Sequence, residues 1–164
     1  MQIPSSIEFV GDCNSTLRNT LIAPAPDEGC ALLIGDISHC DSINKNLTWN
    51  VKHIWPCENK WTTEAENLIW AYQENKSTNK KKGSKKNRFL IDPSELISAQ
   101  KWSRRNNLRI IGSAHSHPAA PPKPSEIDLQ YSFEPSLMVI LGQFGELCAW
   151  WIESDMVFQE IKIK

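Results

Sequence analysis

The chain has 164 residues and a formal net charge of −1, and hydrophobic residues make up 40% of it. This composition is typical of a soluble globular protein, and the length predicts a single domain, residues 1–164, with a substantial core. Residues 1–10 lack the basic start and apolar centre of a signal peptide, and no apolar run approaches membrane-spanning length, which argues against a membrane protein.

The cysteines indicate a reducing compartment. There are five of them, an odd number, and no two are spaced as Cys-x-x-Cys. Disulfide-stabilised secreted domains usually carry an even number of cysteines, so we predict packed or free thiols and a cytoplasmic protein.

The first half of the chain predicts a helix and two strands. Residues 14–23 favour a short helix that ends before Pro24 and Pro26, and the continuous apolar run 30–37 favours a buried strand. Residues 47–55 alternate, which predicts a strand with one apolar face. That face consists of Leu47, Trp49, Val51, His53 and Trp55. We interpret His53 as a packed or hydrogen-bonded side chain, and His39-Cys40 as structural or incidental because no metal-ligand partner follows at a useful spacing.

The next helix is predicted from a capping box at Thr63-x-x-Glu66, which pairs a hydroxyl with a carboxylate three residues later. Its apolar positions have helical spacing and would form one buried face. They are Ala65, Leu68, Ile69 and Tyr72.

A lysine-rich segment follows at residues 75–88, which carries seven basic residues and no acid. We interpret it as a flexible solvated loop, the usual state of such charge runs, or alternatively as a docking loop for an acidic partner. No aromatic residues alternate with its lysines, which argues against binding to nucleic acid.

The second half predicts a helix that begins at Asp92-Pro93, with Asp92 as its cap and Glu95 completing a capping box, and ends at Asn106-Asn107. A central strand over 108–114 follows. A helix from Ser125 to about Phe133 precedes three strands, at 137–141, 146–153 and 156–163, and a hairpin-like turn at 142–145 joins the first two. Strands and helices in this order predict an α/β fold.

The chemistry concentrates where the central strand ends, in His115-Ser116-His117. Side chains at i and i+2 of a strand point the same way, so both imidazoles can reach one point while Ser116 faces the opposite side. Neutral imidazole is a good zinc ligand, and a catalytic zinc site has three protein ligands and an open position. Asp128 is the candidate third ligand, because the proline-rich loop 118–124 can turn the chain back.

Ser125 and Asp128 also match the start of a helix, with Ser125 as the N-cap and Asp128 three residues later. The two interpretations are compatible, since a helix that begins there holds Asp128 in a fixed orientation. Glu126 is the nearest rival acid, but acids are common in a first helical turn. Asp27 and Glu58 are further candidate acids for the site, but no motif supports either of them.

The pattern His-x-His, seven residues, Ser, two residues, Asp resembles the JAMM (MPN-plus) zinc metalloproteases. The segment 26–35, Pro-Asp-Glu-Gly-Cys-Ala-Leu-Leu-Ile-Gly, resembles the family's glutamate-bearing segment, although Ala31 stands where the family usually has glycine; we expect its methyl group to be tolerated. Phe89 to Pro93 resembles the lead-in to the histidine strand, and Met138 to Trp151 resembles the closing strand pair. The likeness covers about four fifths of the chain and is greatest to small single-domain prokaryotic members.

This resemblance implies a cytidine-deaminase-like mixed β-sheet flanked by helices. It implies one zinc ion per chain on His115, His117 and Asp128, with water as the fourth ligand. Zinc lowers the pKa of its water to roughly 7. Glu28 would then be the general base, and the Ser125 hydroxyl would donate to the oxyanion.

The implied activity is that of a metallopeptidase or isopeptidase acting after the C-terminal tail of a ubiquitin-like or sulfur-carrier protein. The alternative is a non-catalytic scaffold that binds protein partners. It is disfavoured because all five motif positions are filled. Nucleobase deamination on the related fold would need a Pro-Cys-x-x-Cys metal segment, which the sequence lacks. Neither a nucleic acid nor a membrane is expected as a partner.

Overall fold

The computed structural model describes residues 2–38, 47–72, 83–132, 134–153 and 157–164, except the side chains at 38 and 69–72. The strands are β1 (Ser6–Phe9), β2 (Cys30–Ser38), β3 (Thr48–Cys57), β4 (Arg109–Ser116), β5 (Ser136–Leu141), β6 (Leu147–Ile152) and β7 (Phe158–Ile163). The helices are α1 (Cys13–Ile22), α2 (Thr63–Tyr72), α3 (Pro93–Arg105) and α4 (Glu126–Gln130). His39-Cys40 and residues 75–82 of the lysine-rich segment lie outside the described residues.

The strands form one mixed sheet that closes on itself in the order β1-β3-β2-β4-β5-β6-β7. Strand β1 runs parallel to β3 and β7, β4 runs parallel to β5, and the remaining neighbours are antiparallel. The predicted α/β fold with a mixed sheet flanked by helices is therefore confirmed, and β4 lies between β2 and β5.

The main core lies inside the curved sheet, where alternate strand residues pack against α1. Leu17 and Leu21 of α1 are fully buried there with Trp49 and Trp151, whose rings meet edge to face at 5.6 Å. The Ala31 methyl group is buried in the same interior, on the face opposite the histidines, and its tolerance stays a prediction. Gly29 is different, since a Cβ there would lie 2.5 Å from the Leu21 carbonyl oxygen of α1.

The outer face of the sheet is covered by α3 and α4. Helix α3 packs Ala99 and Trp102 against Leu32 and Ile34 of β2, whereas Leu129 of α4 packs against a cluster that includes Met138. Because α3 and α4 cover neighbouring parts of this face, the end of β4 emerges between them.

The predicted single apolar face of β3 is wrong. The pairing between β2 and β3 shifts between Ile34 and Gly35, which leaves Lys52 as an extra residue on β3. A bulge of this kind reverses the alternation, so the residues after it face the opposite side. Trp49 and Val51 consequently lie in the interior, whereas His53 stacks on Trp102 of α3 at 4.3 Å. The prediction that His53 is a packed side chain is confirmed.

The two predicted capping boxes before β4 are also corrected. Helix α2 is capped by the Thr62 hydroxyl, which accepts from the backbone N–H of Ala65. Glu66 is instead buried in an ion pair with Arg88, 3.2 Å away. Asp92 caps α3 as predicted, but the Glu95 carboxylate accepts from the Trp55 indole N–H at 2.9 Å.

Two further predictions about the same region need correction. Leu68, predicted to be buried, is 73% exposed. Arg88, predicted to lie in a solvated loop, is 9% exposed. The inward-facing position on α2 is occupied by the Glu66 carboxylate, which pairs with Arg88.

Candidate metal centre

The two histidines lie at the end of β4, on the outer face of the sheet. His115 is fully buried and His117 is 6% exposed. Their Nε2 atoms are 3.0 Å apart, so both rings point at one place, as their i, i+2 spacing predicts. The Phe89 ring stacks on His115 with centroids 4.5 Å apart and covers that imidazole.

Ser116 faces away from this place and fastens β4 to the segment that carries Glu28. Its hydroxyl accepts from the Gly29 backbone N–H at 2.8 Å, and its own N–H donates to the Gly29 carbonyl at 3.0 Å. Glu28 and Cys30 share a face of the extended segment, and Cys30 is the register partner of His115. The fold therefore brings Glu28 to the histidine side of the sheet.

Asp128 reaches the histidines from α4. Its Oδ1 atom lies 3.4 Å from His115 Nε2 and its Oδ2 atom lies 3.4 Å from His117 Nε2. The Ser125 backbone N–H and hydroxyl both donate to Asp128 Oδ2 at 2.7 Å. The Asp128 N–H donates back to the Ser125 hydroxyl, which completes the predicted capping box. Helix α4 is shorter than predicted, since it ends at Gln130.

The proline-rich loop is held firmly against the sheet. Its Pro121 carbonyl lies 2.9 Å from His117 Nδ1, and its Pro122 carbonyl accepts from the Trp150 indole N–H at 2.7 Å. A carbonyl can only accept, so His117 Nδ1 carries a proton, and Nε2 is the ring nitrogen left to bind a metal once its own proton is released. This is the form of histidine that binds a metal, with the other ring nitrogen fixed by a carbonyl.

These residues fit a zinc ion. His115, His117 and Asp128 each offer one ligand atom, and these atoms lie within 4.8 Å of one another. Tetrahedral zinc with ligands at about 2.0–2.1 Å holds neighbouring ligand atoms roughly 3.3–3.4 Å apart, close to the separations seen here. His115 Nδ1 is buried without a hydrogen-bond partner among the described residues. It is thus free to take the proton when Nε2 becomes a ligand.

The electrostatics of the site favour a cation. Burial alone would raise the pKa of the Asp128 carboxyl, but the adjacent His115 ring and hydrogen bonds from the histidine and serine side chains hold it well below its usual range. Burial disfavours the charged form of His117, yet its hydrogen bonds to Asp128 and Pro121 outweigh this and raise its pKa. Asp128 is therefore an ionised carboxylate, ready to act as a ligand.

Glu28 is 5% exposed, and burial raises its pKa to about 8. His117 and Arg88 lower the pKa by less than burial raises it, and the Asp128 charge adds to the increase. A carboxyl group with a pKa near neutrality can accept and return a proton, which is what a general base and acid must do.

Three residues near the site were missed by the sequence patterns. Asn59 bonds the Glu28 backbone, and Arg88 pairs with Glu66 beside it. Phe89 was identified only as part of a resembling segment, with no role. Asn59 lies 31 residues from Glu28 and 29 from Arg88, and Arg88 lies 22 residues from Glu66, so no local spacing could have indicated these contacts.

A cavity of about 440 Å³ adjoins Asp128. Its walls are mainly apolar, and they include Leu96 of α3, whose side chain is half-exposed. The apolar lining residues are Phe89, Leu90, Ile91, Leu96, Ile127 and Met138.

The described part of the chain has no helix that is long and apolar enough to cross a membrane.

Solved structures of other proteins show the same fold. A solution structure of a protein from Desulfitobacterium hafniense matches at a TM-score of 0.69 with 21% identity, covering 96% of this chain and 91% of the other. A JAB1/MPN domain protein from Archaeoglobus fulgidus matches at a TM-score of 0.50 with 13% identity, covering 99% of this chain and all of the other. At these identities the likeness concerns the fold alone.

One curated relative is the desampylase of Pyrococcus furiosus, which is 36% identical over 76 residues, or 46% of this chain. This chain spans about half of that protein, 54% of its length. A family model described as prokaryotic homologs of the JAB domain matches residues 13–153, which include the segment before β2, the two histidines and the start of α4. This chain belongs to the family of prokaryotic JAB-domain proteins.

Proposed function

We propose that this chain is a zinc-dependent peptidase or isopeptidase that hydrolyses an amide bond after the C-terminal tail of a ubiquitin-like or sulfur-carrier protein. The observation that carries the proposal is the convergence of His115, His117 and Asp128 on one point, beside the buried Glu28. The partial match to a desampylase supports a hydrolase that acts on a modifier protein.

His115, His117 and Asp128 would hold one zinc ion, with water as its fourth ligand. Bound zinc supplies an acidified water as the nucleophile and polarises the carbonyl group that is attacked. Glu28 would accept the proton of that water and return it to the departing amine. The adjacent cation would favour ionised Glu28 and bring its raised pKa down toward the neutral range.

The Ser125 hydroxyl donates to Asp128 Oδ2. We propose that it donates to the oxyanion when substrate is bound, since a positioned donor of this kind contributes about 3 kcal/mol in comparable sites. The serine would then alternate between orienting a metal ligand and stabilising the substrate.

The substrate tail would approach through the cavity beside Asp128. Its apolar walls suit an extended, uncharged segment of the peptide, and they include Phe89, whose ring stacks on His115. The lysines of segment 75–88, unlike the buried Arg88, remain the proposed docking element for an acidic face of the partner. The cytoplasmic location and the single-domain organisation stay predictions.

The first test is the zinc content of freshly purified protein, with His117→Ala beside His53→Ala. About one zinc per chain is expected in the wild type and in His53→Ala, because His53 stacks on Trp102 and takes no part in the site. His117→Ala is expected to lose the metal. Stoichiometric zinc in His117→Ala would contradict the assigned ligands, and no zinc in any of the three would favour a scaffold.

Turnover is tested with Glu28→Gln on fusions of carrier proteins joined to a cysteine, a lysine or a short peptide. This variant is expected to keep its zinc and to lose activity by about 10²–10⁴-fold, the usual contribution of a general base. Full activity in Glu28→Gln would assign the proton transfer to another group.

A further inference from the structure

Asn59 follows β3 and is 7% exposed, and its side-chain amide makes four hydrogen bonds to backbone groups. The nitrogen donates to the Glu28 carbonyl at 3.0 Å and to the Arg88 carbonyl at 2.8 Å. The oxygen accepts from the backbone N–H of Trp61 at 3.0 Å and of Leu90 at 3.2 Å. An amide has two donors and one oxygen with two lone pairs, so this side chain is fully used.

The four bonds join three separate segments of the chain, which meet beside the metal centre. The first carries Glu28, whose own N–H donates to the Lys85 carbonyl at 2.7 Å. The second is the stretch from Asn59 to Trp61, and the third is residues 88–90, which place the Phe89 ring on His115. The Lys60 N–H adds a further bond to the Leu90 carbonyl at 2.9 Å.

We infer that Asn59 is a positioning residue for Glu28. Its hydrogen bond to the Glu28 carbonyl would hold the backbone so that the carboxyl group faces the metal ligands. The inference rests on the proposed role of Glu28 as general base. The zinc ligands themselves are held by other contacts, through the Pro121 carbonyl and the α4 capping box. Loss of the Asn59 amide should therefore displace the base while leaving the ligands in place.

The kinetic test is Asn59→Asp, compared with the matched control Asn19→Asp on the exposed side of α1. Aspartate has the same shape and keeps the oxygen that accepts from Trp61 and Leu90, but it removes at least one of the two donated bonds. A displacement near 1 Å costs about 10²-fold in rate. We therefore expect kcat to fall about 10- to 100-fold, with KM and zinc content unchanged. Unchanged kcat, or lost zinc, would overturn the inference.

Amide hydrogen exchange gives a readout that does not depend on activity. In Asn59→Asp the N–H of Glu28 should exchange faster, because the backbone on its carbonyl side is released, whereas the N–H groups of Trp61 and Leu90 stay protected. In Asn59→Ala all three should exchange faster. If all three change equally in Asn59→Asp, Asn59 has a general structural role and the inference fails.

The combination of Asn59→Asp with Glu28→Gln separates this inference from the proposed function. With the base already removed, displacing its backbone should cost little more, so the kcat loss should be strongly non-additive. Additive losses would show that Asn59 acts other than through Glu28. If Glu28→Gln alone is fully active, the proposed base is wrong whatever Asn59→Asp does.

Discussion

The buried carboxyl group of Glu28 should make the metal-free protein less stable as pH rises. Its pKa is about 8 in the folded state, against an ordinary value of 4.5. Between these values the folded protein keeps a proton that the unfolded chain has released, so increasing pH favours unfolding by up to about 1.4 kcal/mol per pH unit. The contribution of neutral Glu28 to the free energy of unfolding is fully present below pH 4.5 and is lost progressively as the pH rises toward 8.

Glu28→Gln does not ionise, so this variant should escape the loss. In the presence of a chelator, its melting temperature should match the wild type near pH 4.5 and exceed it near pH 8. Thermal unfolding across this range measures the difference between the two proteins. A constant difference at every pH would show that Glu28 has an ordinary pKa in the folded protein.

The side chains of the site differ in how far the sequence alone could identify them. The histidines, Ser125 and Asp128 lie within one short stretch, where strand alternation and helix capping restrict their directions. Glu28 could be identified only from the family resemblance, because the pairing between Gly29 and Ser116, which are far apart in the chain, brings it to the histidines. Asn59 carried no signal, since three of its four partners, in Glu28, Arg88 and Leu90, lie 29 to 31 residues away in the chain.

Helix α4 has five residues, so its position depends on its cap more than on its own hydrogen bonds. Ser125→Ala removes the capping hydroxyl and one of the bonds that orient Asp128. We expect a loss of about 1 kcal/mol in stability and a roughly 10-fold weaker affinity for zinc. Competition with a chromogenic chelator measures the affinity.

The control for this change is Ser98→Ala, on the exposed side of α3, which should leave both quantities unchanged within about 0.5 kcal/mol. If Ser125→Ala keeps full zinc affinity but loses kcat, the hydroxyl acts on the substrate rather than on the ligand. Unchanged values of both would exclude each role.

Helix α3 presents two neighbouring apolar residues that differ in one respect. Leu96 and Ile97 are 46% and 52% exposed, but Leu96 lines the cavity beside Asp128, whereas Ile97 is not among the residues that line it. Leu96→Arg should therefore raise KM for a carrier-protein substrate severalfold while the zinc content stays unchanged, and Ile97→Arg should change neither. Equal effects of the two variants would place the substrate outside this cavity.

The elements themselves show where sequence patterns succeed. Strand β2 and helix α1 were predicted closely, because each has one uninterrupted pattern. Strand β3 was misread at its bulge, since the extra residue at Lys52 depends on pairing with β2. The start of helix α2 was predicted wrongly because Thr63 and Glu66 have the spacing of a capping box. That spacing does not reveal that the Glu66 carboxylate pairs with Arg88 instead.

The closed sheet has two distinct faces, since the core fills the interior and the proposed metal ligands lie on the outer side. Trp49 and Trp151 lie on β3 and β6, and their edge-to-face contact joins these strands across the interior. Trp49 is fully buried, so Trp49→Ala should cost about 3–5 kcal/mol through lost contacts and the cavity left behind. His117 and its carbonyl partner lie on the other face and should be unaffected.

We therefore expect Trp49→Ala to lower stability in chemical denaturation while its zinc content and affinity at 20–25 °C remain those of the wild type. Phe144→Ala is the matched control, because that ring is 87% exposed at the turn between β5 and β6 and its removal should cost less than about 0.5 kcal/mol. Lost zinc in a folded Trp49→Ala protein would mean that the interior and the outer face are energetically coupled through β3. The site would then depend on the whole closed sheet rather than on its local contacts.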